Sequence, residues 1–206
     1  MHISDGVLSG PVLCAGAVIS LIGTGIGLKR VDYEKIVHVA IFSSAFFVAS
    51  LIHINIGPVS VHLILNGIVG LLLGFAAVPA ILAALLLQSI FFQYGGLTTL
   101  GVNVVIMAVP AVLSHYLFLP LLGKSSNLTF ISGFMSGFFS IMFSSLLLGF
   151  VLWFSDKNFL ETSLAIIITY IPVMIIEGVV TGFCISFLLK VYPEIIPKTV
   201  YMKEQA

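Results

Sequence analysis

The chain has 206 residues, of which 60% are hydrophobic and 8% charged, and its mean hydropathy is +1.23. So few charges do not cover the surface of a soluble globule of this length, which points to lipid as the solvent. Eight Lys and Arg balance eight Asp and Glu, which excludes the basic excess of a nucleic-acid binder and the acidic excess of a disordered partner segment.

At about 20 helical residues for each crossing of a hydrocarbon core about 30 Å thick, the sequence predicts an all-α integral membrane fold. It reads as a bundle of about seven transmembrane helices in one polytopic domain covering residues 1–206. The chain opens MHISDG, with no Lys or Arg ahead of the first apolar run, and the first span follows near 7–28. That run contains Cys14, which reads, like the distant Cys184, as a small buried hydrophobe. Its GTGIG stretch from Gly23 lacks the Lys-Ser/Thr of a phosphate-binding loop, so no nucleotide site is read there. KRVDYEK leads into a second span near 36–54, and a loop around Ile54 to Ser60 leads into a third near 61–77. Pro79, followed by a fresh apolar run, predicts a tight turn between that short span and a fourth near 78–92. QYGGLTTLGVN, from Gln93 to Asn103, then leads to a fifth span near 103–122, and two more follow near 128–154 and 163–189. Gly23 with Gly27, Gly70 with Gly74, Gly133 with Gly137 and Gly178 with Gly182 form small-xxx-small pairs that let helices approach closely.

Cations orient the bundle, because short cytoplasmic loops collect Lys and Arg. With seven spans and the N-terminus outside, Lys29, Arg30, Lys35, Lys124, Lys190, Lys198 and Lys203 fall on the cytoplasmic side with the C-terminus, and only Lys157 falls outside. Fusing the third and fourth spans would set Lys124 and the C-terminal lysines opposite Lys29 and Arg30. The seven-span arrangement also brings MHISDG, the Ile54 to Ser60 loop and the Gln93 to Asn103 loop to one outer face.

Metal chemistry is concentrated in the first two residues. An amino terminus has an ordinary pKa near 8, so a metal displaces its proton around neutral pH. The Met1 amine and the His2 backbone nitrogen close a five-membered chelate ring, and that nitrogen and the His2 imidazole Nδ1 close a six-membered one. Three nitrogens then lie near one plane, and a fourth completes a tetragonal site that suits Cu(II) or Ni(II) and accommodates Co(II). His62, at the outer start of the third span, is the chosen fourth donor, whereas His53 reads as an interfacial side chain. Met1 is expected to be retained, since the initiator is removed when a small residue follows it and His2 is large. His38 and His115 lie elsewhere, although a titratable group at the depth of His115 is functional by default. Glu177, near the middle of the last span in IEGVVTGF, reads as a packing hydrogen bonder, a residue coupling to a partner subunit or a proton relay.

MHISDGVLS, SVHLILNG, FFQYGGLTTLGVN and IEGVVTG, spread over essentially the whole chain, together resemble the CbiM/NikM family. Members of that family are the substrate-capturing membrane components of energy-coupling-factor transporters for cobalt or nickel. The resemblance implies a helical bundle with an additional N-terminal span, in a bacterial or archaeal cytoplasmic membrane. It implies a transmembrane coupling protein and a cytoplasmic ATPase as partners, and leaves room for a small accessory membrane subunit. The family's metal site carries over to Met1 through its amine, His2 through its backbone and imidazole nitrogens, and His62. The Gln93 to Asn103 loop resembles the family's lid, which implies that Gln93, Thr98 and Asn103, with Asp5 and Asn66, hold the ligands in place. Tyr94 departs from the pattern, standing where many relatives carry His, and leaves metal preference and any auxiliary ligand open. No cofactor is expected beyond the transported Co(II) or Ni(II) ion.

The sequence is therefore read as the substrate-binding membrane subunit of an ATP-driven Co(II) or Ni(II) importer, with ATP hydrolysis in a separate partner and no enzymatic activity of its own. Two readings compete with it. One is a stand-alone secondary transporter or channel for divalent transition metals, with Glu177 and His115 along its path. The other is an intramembrane hydrolase using His2, His62 and a metal-bound water, against which four filled nitrogen positions argue.

Overall fold

The computed structural model describes residues 2–56 and 59–195, leaving out the side chains of Lys35, 53–56 and 59–62. In chain order these residues form α1 (Gly10–Lys29), α2 (Ile36–Ala49), a hairpin of β1 (His53–Ile56) and β2 (Val59–His62), α3 (Asn66–Leu73), α4 (Ala77–Phe92), α5 (Leu100–Phe118), α6 (Ser126–Ser155), α7 (Leu160–Thr169) and α8 (Ile171–Val191). Five helical segments are long and apolar enough to cross a membrane: Gly10–Lys29, Asn66–Phe92, Leu100–Leu121, Ser126–Ser155 and Lys157–Val191; Ile36–Ala49 is a shorter apolar helix. In lipid the backbone must satisfy its own hydrogen bonds, and helices do so within one segment.

The first helix shows how lipid shapes the pattern. Pro11 lies in the first turn of α1, where a missing N–H leaves no bond broken, and Lys29 closes the last turn. Val18, Ile19, Leu21 and Ile22 stand exposed, while the buried residues are Gly16, Ser20 and Gly27. This small face docks on the bundle: a Cβ at Gly16 would overlap Val102 of α5, and one at Gly27 would meet Pro79 Cδ of α4 at 2.5 Å. Cys14, expected to be buried, is exposed on α1. Its surroundings are apolar because the helix is apolar all round, as a lipid-facing helix must be, and not because the position is packed.

Two departures from the sequence expectation matter for function. HINI and VSVH, flanking a Gly-Pro dipeptide, form an antiparallel ladder that pairs His53 with His62, Ile54 with Val61, Asn55 with Ser60 and Ile56 with Val59. Extended backbone wins there because Ile54, Ile56, Val59 and Val61 are β-branched and alternate with polar residues. The helix expected from residue 61 therefore starts only at Asn66, and the fold is helical except for this hairpin among the described residues.

The reversal expected between α3 and α4 is present, and the second departure is its position. It falls at Gly74–Ala76, a single 3-10 turn opened by Gly74 at φ +54, a conformation glycine adopts without steric cost. Pro79 follows in the first turn of α4, so it preorganises the helix start and does not make the turn. Gly67 packs on Gly137 of α6 and Gly70 on Ala111 of α5, whereas Phe75 lies under Arg30, 5.0 Å from its guanidinium carbon. α4 then runs back, and Gln88 donates to Ser50 Oγ at 2.6 Å.

α6 and α8 share the broadest helix interface. It is a glycine contact: a Cβ on Gly133 would lie 2.9 Å from Gly182 Cα, and one on Gly137 would lie 2.5 Å from the Glu177 carbonyl oxygen. Ser132, Ser136, Ser140 and Ser144 line α6 at four-residue spacing and are fully buried. Their hydroxyls are satisfied at close range: Ser132 donates to the Phe118 carbonyl at 2.7 Å, Ser136 donates to the Gly67 carbonyl at 3.0 Å, and Ser140 pairs with Ser114 at 2.8 Å. Small residues with satisfied hydroxyls are what close helix packing in lipid requires.

The bundle thus has two distinct ends. At one, the Ser9 N–H donates to Ser155 Oγ at 2.5 Å, joining the start of α1 to the end of α6. At the other, Arg30 reaches Tyr116 at 3.5 Å and His38 stacks on Tyr192 with ring centroids 5.9 Å apart.

Candidate metal-capture site

The N-terminal segment is tied to the loop and first turn ahead of α5, at the end of the bundle marked by Ser9 and Ser155. Ile3 is 4% exposed, so its backbone groups need partners within the protein. Asn103 supplies both: Ile3 N–H donates to Asn103 Oδ1 at 2.9 Å, and Asn103 Nδ2 donates to the Ile3 carbonyl at 3.0 Å. Thr99 Oγ1 donates to the same carbonyl at 2.8 Å and accepts from Asn103 Nδ2 at 3.3 Å. One residue beyond His2, the chain is therefore held on both its donor and its acceptor side.

A second tie lies at Asp5. Its Oδ1 accepts from Thr98 Oγ1 at 2.5 Å, Thr98 N–H at 3.2 Å and Thr99 N–H at 3.3 Å. The Thr98 hydroxyl, with smaller contributions from the Thr99 and Thr98 amides and against the opposing effect of burial, holds the Asp5 carboxyl below its ordinary value of 3.8. Charge-assisted bonds of this kind favour the ionised form. Gly96 is packed against this carboxylate so closely that a Cβ there would overlap it. Gly95, at φ +78, brings the loop over the segment, and a Cβ on it would lie 2.8 Å from Asn103 Nδ2 and 3.5 Å from His2 Cβ.

His2 lies under this loop. Its ring stacks on Tyr94 with centroids 6.1 Å apart and an interplanar angle of 21°, and Tyr94 in turn stacks on Phe92 at 5.7 Å. Both ring nitrogens of His2 are buried from solvent. Tyr94 thus shelters the imidazole by its ring face.

Of the residues singled out in the sequence, the structure brings His2, Asp5, Thr98 and Asn103 together. Met1 and the side chain of His62 lie outside the described residues; the backbone of His62 ends β2, opposite His53. Gln93 has an exposed side chain and closes α4 in the left-handed region at φ +57. Asn66 is fully buried at the start of α3, where Nδ2 donates to Ser144 Oγ at 3.3 Å and Oδ1 is buried with no hydrogen-bond partner among the described residues. Glu177, also fully buried, accepts from the Ile64 and Leu65 amides just beyond β2. His115 is bound at the other end of α3, its Nδ1 2.9 Å from the Leu71 carbonyl. Thr99, Gly95 and Gly96 were not singled out from the sequence. The signal available was the GGLTT run itself, in which two glycines precede two hydroxyl residues within a loop.

No group of three or more His, Cys, Asp or Glu side chains that could hold a metal ion occurs among the described residues. A chelate built from a terminal amine and a backbone nitrogen makes no such cluster, because most of its donors are main-chain atoms.

Residues 2–195 match the family model described as the CbiM cobalt uptake substrate-specific transmembrane region. A Haemophilus influenzae protein with a provisional metal transport name is 43% identical over 202 residues, covering 97% of this chain and 98% of that one. A fused nickel transport protein NikMN of Rhodobacter capsulatus is 39% identical over 116 residues, 53% of this chain and 33% of that longer protein. A crystal structure of a transition metal transporter superposes with a TM-score of 0.77 at 21% identity, covering 93% of each chain. A truncated transition metal transporter gives 0.74, also at 21% identity, over 92% of this chain and 99% of that one.

Proposed function

Because the chain belongs to the CbiM family of cobalt-uptake substrate-specific transmembrane proteins, a family of multi-pass membrane proteins of cobalt and nickel transport, we propose that it is the metal-capturing subunit of an ATP-driven Co(II) or Ni(II) importer. The metal is held at the outer face by four nitrogens: the Met1 amine, the His2 backbone nitrogen, the His2 imidazole and His62. The observation that carries this reading is the double clamp on Ile3 by Asn103 and Thr99. A chain end used as a ligand loses conformational freedom on binding, and a segment already fixed one residue away has less to lose. Clamping a chain tip under a loop has no evident purpose in a helix bundle that does not use that tip.

The remaining features fit the same scheme. A bundle of about seven crossings, with the N-terminus outside and the C-terminus cytoplasmic, puts Lys29, Arg30, Lys124 and Lys190 at the inner face. The Gln93 to Asn103 loop serves as the lid, closed over the loaded ion by the Asp5 and Asn103 ties. Energy comes from a cytoplasmic ATPase through a transmembrane coupling protein, and hydrolysis there drives reorientation of the bundle. The hydrogen bonds of Glu177 and His115 go to backbone at opposite ends of α3, which gives no support to a stand-alone carrier that would string them along one conduction path.

Calorimetric titration of the purified protein with Ni(II) and Co(II) tests the site directly. His2→Ala removes the imidazole donor and its six-membered ring, and affinity is expected to fall by at least about 100-fold, more than is lost with a partner that only orients a ligand. Unchanged affinity would reject the amino-terminal chelate.

A further inference from the structure

The segment Leu63–Leu65 joins β2, which ends at His62, to α3, which starts at Asn66. Helix starts leave N–H groups without intrahelical partners, and a local Ser, Thr, Asp or Asn usually accepts from them. Here the residue in the capping position is Leu65, which offers no side-chain acceptor and takes φ +59, a left-handed conformation uncommon for leucine. The acceptor comes from α8 instead. Glu177 Oε1 accepts from the Ile64 N–H, 113 residues away in sequence, and from the Leu65 N–H at 2.8 Å. Ile64 and Glu177 are both 0% exposed, so water does not substitute for this contact.

The sequence left Glu177 with three roles, and the geometry separates them. A residue coupling to a partner subunit needs an outward face, and this one has none. A proton relay needs a titratable or hydroxyl neighbour in hydrogen-bond contact, whereas both bonds of this carboxylate go to main-chain amides and Oε2 has no hydrogen-bond partner among the described residues. Simple packing between α6 and α8 is met by Gly133, Gly137, Gly178 and Gly182 and does not call for an acid. What the carboxylate does is hold the exit of β2 at Ile64 and Leu65, with Leu65 in the left-handed region.

We propose that Glu177 is a positioning residue for His62: by capping Ile64 and Leu65 it fixes the backbone into which His62, at the end of β2, leads. The inference rests on His62 being the fourth nitrogen donor. It also gives α8 a direct grip on that donor, so a movement of α8 against α6 would reposition His62.

The test compares Ni(II) affinity and the ligand-field absorption of bound Ni(II) in the full-length protein and four variants. Glu177→Gln retains an oxygen acceptor for the two amides and is expected to bind within about threefold of the unsubstituted protein. Glu177→Leu removes the acceptor and is expected to lose about 10–100-fold, the range for partners that orient a metal ligand. Its absorption should shift as that of His62→Ala does, because both leave three fixed nitrogens. Combining Glu177→Leu with His62→Ala should cost no more than His62→Ala alone, since the two act through one donor. Should Glu177→Leu fail to fold, Glu177→Asp, which withdraws the acceptor by one methylene, takes its place with the same expected loss. Losses that add in the double variant, or full affinity in Glu177→Leu or Glu177→Asp, would overturn the inference. Full affinity in His62→Ala would instead remove the reading of the site on which it stands.

Discussion

Asn103 does for Ile3 what a neighbouring strand does in a sheet, because a primary amide presents one acceptor and one donor at about the spacing of a peptide group. Asn103→Leu keeps the number and branching of the side-chain heavy atoms and leaves the Ile3 N–H with no side-chain acceptor in a buried site. Stranding a buried backbone donor costs about 1–3 kcal/mol. If that cost falls on docking of the tip, Ni(II) affinity should drop by about 10–100-fold, since about 1.4 kcal/mol is a factor of ten. Thr99→Val should cost less, about fivefold, because the Ile3 carbonyl keeps its bond from Asn103. Calorimetry on both variants checks the order, and a Thr99→Val loss equal to that of Asn103→Leu would mean that the carbonyl side dominates. The resemblance pointed to Asn103, Thr98 and Asp5, and chelate geometry pointed to His2. That Asn103 and Thr98 act on Ile3 and Asp5 was not legible, since nothing in a sequence states which of several polar residues in a loop meets which backbone group.

Secondary structure was most legible where one solvent decides everything. Long apolar runs made helices, and the positions of α1, α5 and α6 could be read from composition because lipid leaves the backbone no other choice. Residues 61–65 were read as the start of the third helix because Val61, Leu63, Ile64 and Leu65 are apolar, and apolarity does not separate a strand from a helix over so few residues. The cue lay in β-branching and in the Gly-Pro dipeptide. The small-residue pairs were legible as packing sites but not as to partner, and partner decides the cost of a substitution. Gly67 meets Gly137, where an added Cβ would lie 2.5 Å from Cα, whereas nothing lies within 4 Å of a Cβ added to Gly25. Gly67→Ala should therefore force α3 off α6 and destabilise by about 1–3 kcal/mol. Gly25→Ala, on the exposed side of α1, should be neutral or stabilising by up to about 1 kcal/mol through helix propensity. Denaturation in detergent measures both, and equal effects would show that the α3–α6 contact is soft.

At the scale of the molecule, the reversal at Gly74 sets the direction of every later segment. Because α4 runs back after it, the loop before α5 arrives beside His2 and not at the Arg30 end. Were residues 66–92 one crossing, that loop would lie on the side opposite the N-terminal segment, and the bonds from Asn103 to Ile3 and from Thr98 to Asp5 could not form. The same parity governs charge: the turn after α5 with Lys124 joins Lys29 and Arg30 at one face, and Lys157 stands at the other. The positive-inside rule predicts that the Lys29 face is cytoplasmic and that the N-terminal segment with the loop before α5 is external. Single cysteines test this in a background where Cys14 and Cys184 are replaced by serine. Leu97 is 61% exposed in the loop before α5 and Tyr33 is 81% exposed after α1; Asn158 and Ser125 are exposed in the turns after α6 and α5. In intact cells a membrane-impermeant maleimide should label Leu97→Cys and Asn158→Cys, and should reach Tyr33→Cys and Ser125→Cys only after the membrane is opened. A six-crossing chain would exchange the labelling of positions 97, 158 and 125 while leaving 33 unchanged. An inverted seven-crossing chain would reverse all four and place the proposed capture site on the cytoplasmic side, where an importer could not load it.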